Sequence, residues 1–184
     1  YNEVGKYLKR DYFAYNILLD PNETNSYLVA CAKEGRAAVV LTTSPIPEMK
    51  AVKNETEIQG FHNAMKRDGV AMVKFLKWLI PAVKAGHETE ISLDKKLTYL
   101  RSQQPLFRDS SFDTIVGYEH HGAIVHYEAT PETDIAIEPH GFVLIDSGAQ
   151  YQDGTTDITR TIALGPLTEE QKRVYTIVLK GHIQ

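Results

Sequence analysis

A lone cysteine, Cys31, leaves this 184-residue chain unable to form an internal disulfide, which is compatible with a reducing compartment such as the cytoplasm. No apolar run is long enough to cross a bilayer, and no signal-peptide pattern stands at the start. Basic clusters are missing too: 20 Lys and Arg against 24 Asp and Glu give a net charge of −4, which argues against nucleic acid or an anionic membrane as the main partner. The chain also lacks an initiator methionine, and its last segment, KRVYTIVLKGHIQ, stops inside an apolar helical pattern with no terminating signal. Both ends read as cut, as in a piece of a longer protein. What is present is ordinary for a globular protein: 42% hydrophobic and 24% charged residues, enough for one good core or two small ones.

The stretch that organises the rest is VLIDSGAQYQDGTTDITRTIA, from Val143 to Ala163. Two short apolar runs, Val143-Leu144-Ile145 and Ile158 with Ile162-Ala163, flank polar, glycine-containing residues, which predicts a β-hairpin. Asp146 and Asp157 then lie on one face. A turn centred on Tyr151 and Gln152 would set them directly opposite, and only that register lets them share an ion, whereas a turn at Asp153-Gly154 would offset them along the ladder. Carboxylates forced together are relieved by a shared proton or a bound cation; the plainer alternative is a pair of solvated strand residues, or a turn dressed by Asp153 and Asp157.

Around this stretch the chain divides in expectation near residue 53. The first part reads as the tail of an α/β domain: a strand at Ile17-Leu18-Leu19 closed by Asp20-Pro21, a helix from Thr24 to Lys33, and a second strand from Ala37 to Leu41, with Ser44-Pro-Ile-Pro47 marking a boundary. Asn54 and Glu57 form a helix start. A buried stripe of Ile58, Phe61, Met65, Met72, Leu76 and Leu79 runs to about Ile80, where Pro81 would stop or kink the helix. Ser92 is a candidate cap for a second helix with Leu93, Leu97 and Leu100 inside and its lysines and Arg101 solvated. Strands are expected at Ser111 to Val116 and at Ala123 to Tyr127. On an unbroken strand His120 and His126 would share a face that His121 does not. Thr168-Glu-Glu-Gln171 reads as a capping box for a last helix, with Glu169 able to pair with Arg173.

The run Asp146-Ser-Gly-Ala-Gln-Tyr-x-Asp-Gly-Thr-Thr-Asp157-Ile-Thr-Arg-Thr161 resembles the metal-binding hairpin of the Xaa-Pro aminopeptidases, within the pita-bread metallopeptidases. Lys53-Asn-Glu-Thr-Glu-Ile-x-Gly60 with Arg67-Asp-Gly-Val-Ala71 resembles that family's opening helix, and Gly122-Ala-Ile-Val-His126-Tyr127 its active-site histidine segment, although His121 stands where the family commonly has Asn. The resemblance implies an α/β (α+β) fold: a truncated pita-bread catalytic domain over residues 54–184, preceded by the tail of an α/β domain over residues 1–53. It implies two divalent cations, commonly manganese with zinc or cobalt as alternatives. Asp146 would bind one ion, Asp157 would bridge both, and His126 would bind substrate and assist proton movement. The substrates would be peptides with proline at the second position. The family's remaining ligands, a histidine and two glutamates, would lie beyond Gln184, so the piece alone is expected to be inactive. Dimers are frequent in the family. The alternatives are a prolidase acting on dipeptides, a pita-bread module that binds peptide or protein without catalysis, and a piece that does not fold by itself.

Overall fold

The computed structural model describes residues 2–10 and 15–184. They form two compact units, Tyr1–Lys53 and Asn54–Gln184.

In the first unit, helix α1 (Asn2–Leu8) is followed by β1 (Asn16–Leu19), α2 (Ser26–Glu34) and β2 (Ala38–Leu41). β1 and β2 are parallel, with Asn16 beside Ala38 and Leu19 beside Leu41, so the chain must cross over between them, and α2 makes that crossing. Asn25 starts α2 by accepting from Leu28 N at 3.0 Å. The buried Asp20 carboxylate closes the turn after β1. It accepts from Ser44 N at 2.7 Å and Asn22 N at 2.9 Å, and these bonds, that from Ser44 foremost, hold its carboxyl below the usual carboxylate range. A short helix, α3 (Ile46–Ala51), begins with Pro47 in its first turn, where a missing N–H costs nothing.

The second unit opens with α4 (Glu55–Ala85), 31 residues long. Asn54 accepts from Glu57 N at 2.9 Å while Glu57 accepts from Asn54 N at 2.8 Å. Pro81 does not stop the helix, which runs on to Ala85 and ends at Gly86 with φ 83°. Lys77, whose carbonyl Pro81 deprives of a donor, is exposed, so water can serve it, while buried Leu79 and Val83 hold the last turns. The buried face also differs from the expected stripe. Met72 and Leu79 are inside and Leu76 is partly buried, but Ile58, Phe61 and Met65 are exposed, and the inner face of the first half carries Gly60, Ala64 and Asp68. Small residues are needed there because a Cβ on Gly60 would stand 2.1 Å from the Asp153 carbonyl oxygen.

Helix α5 (Glu90–Ser102) is capped by Thr89, not Ser92. Ser92 is instead the reciprocal member, its Oγ accepting from Thr89 N at 2.8 Å. Leu93 and Leu97 are buried as expected, but Arg101 is 1% exposed rather than solvated.

Six short strands make two antiparallel three-stranded sheets. One has the order β3 (Phe107–Ser110), β6 (Ala149–Tyr151), β7 (Gly154–Thr155); the other β4 (Ile115–Tyr118), β5 (Phe142–Ser147), β8 (Ile158–Ala163). Of the strand expected at Ser111 to Val116 only Ile115 and Val116 lie in a strand, β4, and residues 111–114 join β3 to β4. No strand forms at Ala123 to Tyr127: Glu119–Ala123 is a 3-10 turn, folded so tightly on β4 that a Cβ on Gly117 would lie 2.8 Å from Gly122 Cα. The core joins Met72, Phe75 and Leu79 of α4, Leu93 and Leu97 of α5, Val116 of β4, and Val143 and Ile145 of β5. Helix α6 (Glu169–Ile183) starts at the Thr168 and Gln171 capping box. Its ion pairs are Glu169 with Lys172 and Glu170 with Arg173, three residues apart, in place of Glu169 with Arg173.

Candidate metal centre

Alternation along β5 buries Val143, Ile145 and Ser147 and leaves Phe142, Leu144 and Asp146 half-buried on the other face. β5 pairs with β8 so that Asp146 faces Thr159 and Ser147 faces Ile158. β6 pairs with β7 in the same frame, Gln150 with Thr155 and Tyr151 with Gly154, so the turn is made by Gln152 and Asp153. Neither expected register is the observed one: the directly opposed pairing expected for a shared ion does not form, and the aspartates meet along a diagonal instead. Thr156 N donates to Ala149 O at 2.9 Å, which keeps the frame and sets Asp157 against Gly148. Asp146 and Asp157 are therefore diagonal neighbours on one face, a relation that spans roughly 7–8 Å in an antiparallel pair.

Contacts remote in sequence select this turn. Asp153 pairs with Arg67 of α4, and Gly154 lies 3.1 Å, at its would-be Cβ, from the Ala64 side chain. Tyr151 donates its hydroxyl to Asp68 Oδ1 at 3.1 Å. Asp68 is itself held by Arg101 in a fully buried two-point ion pair, 2.8 Å to Nε and 2.9 Å to Nη2. Burial first, and the Asp68 charge second, push the Tyr151 phenol far above its usual value. At the other end of the loop a Cβ on Gly148 would meet the Thr156 carbonyl oxygen at 2.0 Å, so only glycine fits opposite Asp157.

Thr159 donates its hydroxyl to Asp146 Oδ1 at 2.7 Å, which orients that carboxylate. Asp157 is exposed. Among the described residues neither aspartate has an ion-pair partner, and no three or more His, Cys, Asp or Glu side chains are grouped so as to hold a metal ion. Two unneutralised carboxylates on one sheet face offer the oxygen donors that hard divalent cations prefer; they fit part of a metal site and leave the rest to other residues. Beside them, between the outer face of β8 and α6, lies a groove of about 820 Å³ lined by Phe142, Thr159, Thr161, Val174, Tyr175 and Val178, among others.

His126 stands apart from the aspartates in the bonding scheme. It is exposed, sits in the turn after the 3-10 segment and has φ 55°. No hydrogen bond joins it to Asp146 or Asp157 among the described residues. His121, expected to point away, turns inward: its Nδ1 is 3.0 Å from both oxygens of Glu90, and its ring packs against those of His120 at 4.3 Å and Tyr127 at 4.4 Å. Tyr127 is buried and donates its hydroxyl to Glu90 Oε2 at 2.9 Å; burial, more than the Glu90 bond, raises its phenol above the usual value.

Three functional or supporting residues escaped sequence reading. Asp68 could have been found, because it lies four residues from both Ala64 and Met72 on one helix face. Thr159 follows only once the register is known. Glu90 carried no signal beyond its place in the first turn of α5.

The sequence profile of Metallopeptidase family M24 matches residues 59–184. Aminopeptidase P2 of Arabidopsis thaliana is 45% identical over 141 residues, covering 76% of this chain and 20% of that protein. The crystal structure of an X-prolyl aminopeptidase from Caenorhabditis elegans, described as a cytosolic enzyme with a di-nuclear active site, superposes with a TM-score of 0.79 at 35% identity, over 92% of this chain and 29% of its own. An Xaa-Pro dipeptidase from Bacillus anthracis superposes with a TM-score of 0.81 at 25% identity, over 99% of this chain and 49% of its own. The expected mixed α/β pita-bread fold is therefore the fold observed. The chain spans about a quarter of the length of the curated relatives it matches.

Proposed function

Since the chain belongs to metallopeptidase family M24, we propose that it contributes Asp146 and Asp157 to a dinuclear metal site at which a longer protein removes an N-terminal residue that precedes proline. The observation that carries this reading is the pair itself: two carboxylates on one face of a hairpin whose register is fixed from α4, with no cationic side chain to neutralise them among the described residues. Asp146, oriented by Thr159, would hold one ion, and Asp157 would serve both. The remaining ligands come from parts of the relatives that this chain does not span, and the segment alone is inactive. Residues 1–53 are the tail of a preceding α/β domain and residues 54–184 the first half of the pita-bread domain.

Two divalent ions, manganese by preference with zinc or cobalt as alternatives, would supply an activated water and stabilise the oxyanion. The chain's own residues prepare that chemistry. Asp146 and Asp157 concentrate negative charge where cations are required. His126 is exposed on its turn, free to hydrogen-bond a substrate and to carry a proton on its imidazole. Proline has no amide hydrogen and restricts the residue before it, so the bond preceding it calls for a dedicated pocket rather than the recognition used for ordinary peptides. A cytoplasmic setting agrees with the description of the Caenorhabditis elegans neighbour.

The Bacillus anthracis neighbour favours a second reading, cleavage of Xaa-Pro dipeptides. Assay of the metal-loaded full-length protein on an Xaa-Pro-Xaa tripeptide and an Xaa-Pro dipeptide separates the two. Tripeptide cleavage is expected, with Asp157→Ala lowering it by more than the roughly 10–100-fold that loss of an outer-sphere partner costs. Cleavage of the dipeptide alone would establish the prolidase reading, and a folded, metal-loaded protein that cleaves neither would point to a peptide-binding module.

A further inference from the structure

Glu90 is 0% exposed at the first position of α5, and among the described residues its side-chain hydrogen bonds all come from one segment of chain. Oε1 accepts from Tyr118 N at 2.8 Å, Oε2 from the Tyr127 hydroxyl at 2.9 Å, and His121 Nδ1 lies 3.0 Å from each oxygen. With the carboxylate ionised, Nδ1 must carry the hydrogen, because an ionised carboxylate only accepts. A buried carboxylate is costly unless its lone pairs are filled. Here they are filled by residues on both sides of His126.

His126 has no comparable anchor. Its side chain is exposed, and its backbone sits in the left-handed region at φ 55°, a conformation that is strained for a non-glycine residue and persists where the surroundings hold it. The surroundings are Tyr127, bonded to Glu90, and His121, whose ring packs on that of Tyr127 at 4.4 Å. We infer that Glu90 is a positioning residue for the proposed cleavage, clamping both ends of the segment from Tyr118 to Tyr127 so that the turn between them presents His126 to the substrate. The clamp stands on the geometry; its kinetic consequence rests on the reading of His126 as a substrate-binding histidine. If Glu90 merely fastened α5 to β4, its loss would lower stability without changing the kinetics of the folded enzyme.

Removing a buried carboxylate risks the whole fold, so the donors are the better targets. Tyr127→Phe and His121→Leu each delete one donor, whereas His121→Asn keeps an amide that can donate to Glu90. In the metal-loaded full-length protein, amide hydrogen exchange over residues 119–127 is measured together with metal content, kcat and KM on an Xaa-Pro-Xaa peptide. Tyr127→Phe and His121→Leu are expected to speed exchange there about fivefold or more, as loss of one hydrogen bond does. They should lower kcat/KM by about 10- to 100-fold, the scale of a misplaced active-site group, with metal content unchanged. His121→Asn should restore both to within about threefold of wild type, given its retained donor. Should His121→Leu fail to fold, Tyr127→Phe decides alone. Faster exchange with unchanged kcat/KM, or unchanged exchange, overturns the inference while leaving the peptidase reading intact. A wild-type protein that cleaves no Xaa-Pro peptide overturns that reading, and the positioning role with it.

Discussion

At the scale of single residues, the least legible feature was a buried ion pair. Arg101 read as part of a solvated face because charged side chains on a helix usually are solvated, yet it reaches Asp68 across from α5 to α4 with neither exposed beyond 1%. Asp68→Ala leaves the guanidinium buried and uncompensated, and is expected to destabilise the protein by about 3–5 kcal/mol, measured by urea unfolding; a loss under 1 kcal/mol would mean that water enters the site. Tyr151 adds a pH dependence of definite sign. Its phenol is raised by burial and by Asp68, so the folded state favours the neutral form. That stabilisation is complete below the unfolded value of about 10 and is lost as pH rises above it toward the folded value. Chemical unfolding midpoints should therefore fall above about pH 10, and Tyr151→Phe should flatten that fall.

At the scale of elements, periodicity and capping signals found α2, α4, α5, α6 and the hairpin, though not α1 and α3, and not how the elements dock. The stripe over Ile58, Phe61 and Met65 was rotated in expectation because it counted large apolar residues, whereas the first half of α4 approaches the hairpin turn through Gly60 and Ala64, where size rather than hydrophobicity decides. The same contact explains the register. A turn at Gln152 and Asp153 places Asp153 beside Arg67 and Gly154 against Ala64, and no local rule of turn chemistry contains that information. Gly60→Ala would force a methyl to 2.1 Å from the Asp153 carbonyl oxygen. The expected cost is about 1–3 kcal/mol of stability with weaker metal binding by the hairpin, read from thermal melts and metal titration of the same sample. A neutral Gly60→Ala would show that the helix can slide away from the turn. The strand expected from Ala123 to Tyr127 fails to form for a related reason. Its composition suits extended backbone, but the paired glycines at 117 and 122 permit a tight 3-10 return, and Glu90 collects the donors that return exposes.

At the scale of the whole molecule, the α/β class and the pita-bread architecture were legible in the motifs around Asp146 and Asp157. What the sequence could not convey was that the face carrying Asp146 and Asp157 depends on supports spread over α4 and α5, a dependence that passes through Asp68, Arg67 and Gly60, all remote from the hairpin in sequence. The central claim is that the diagonal pair Asp146 and Asp157 forms part of one cation site. Calorimetric titration of manganese into the full-length protein, wild type and Asp157→Ala, tests it most directly. The account predicts that wild type binds two ions per chain and that Asp157→Ala, still folded, weakens or abolishes binding of both, since a bridging carboxylate serves each. Identical titration curves for the two proteins would contradict it and leave the hairpin as scaffold.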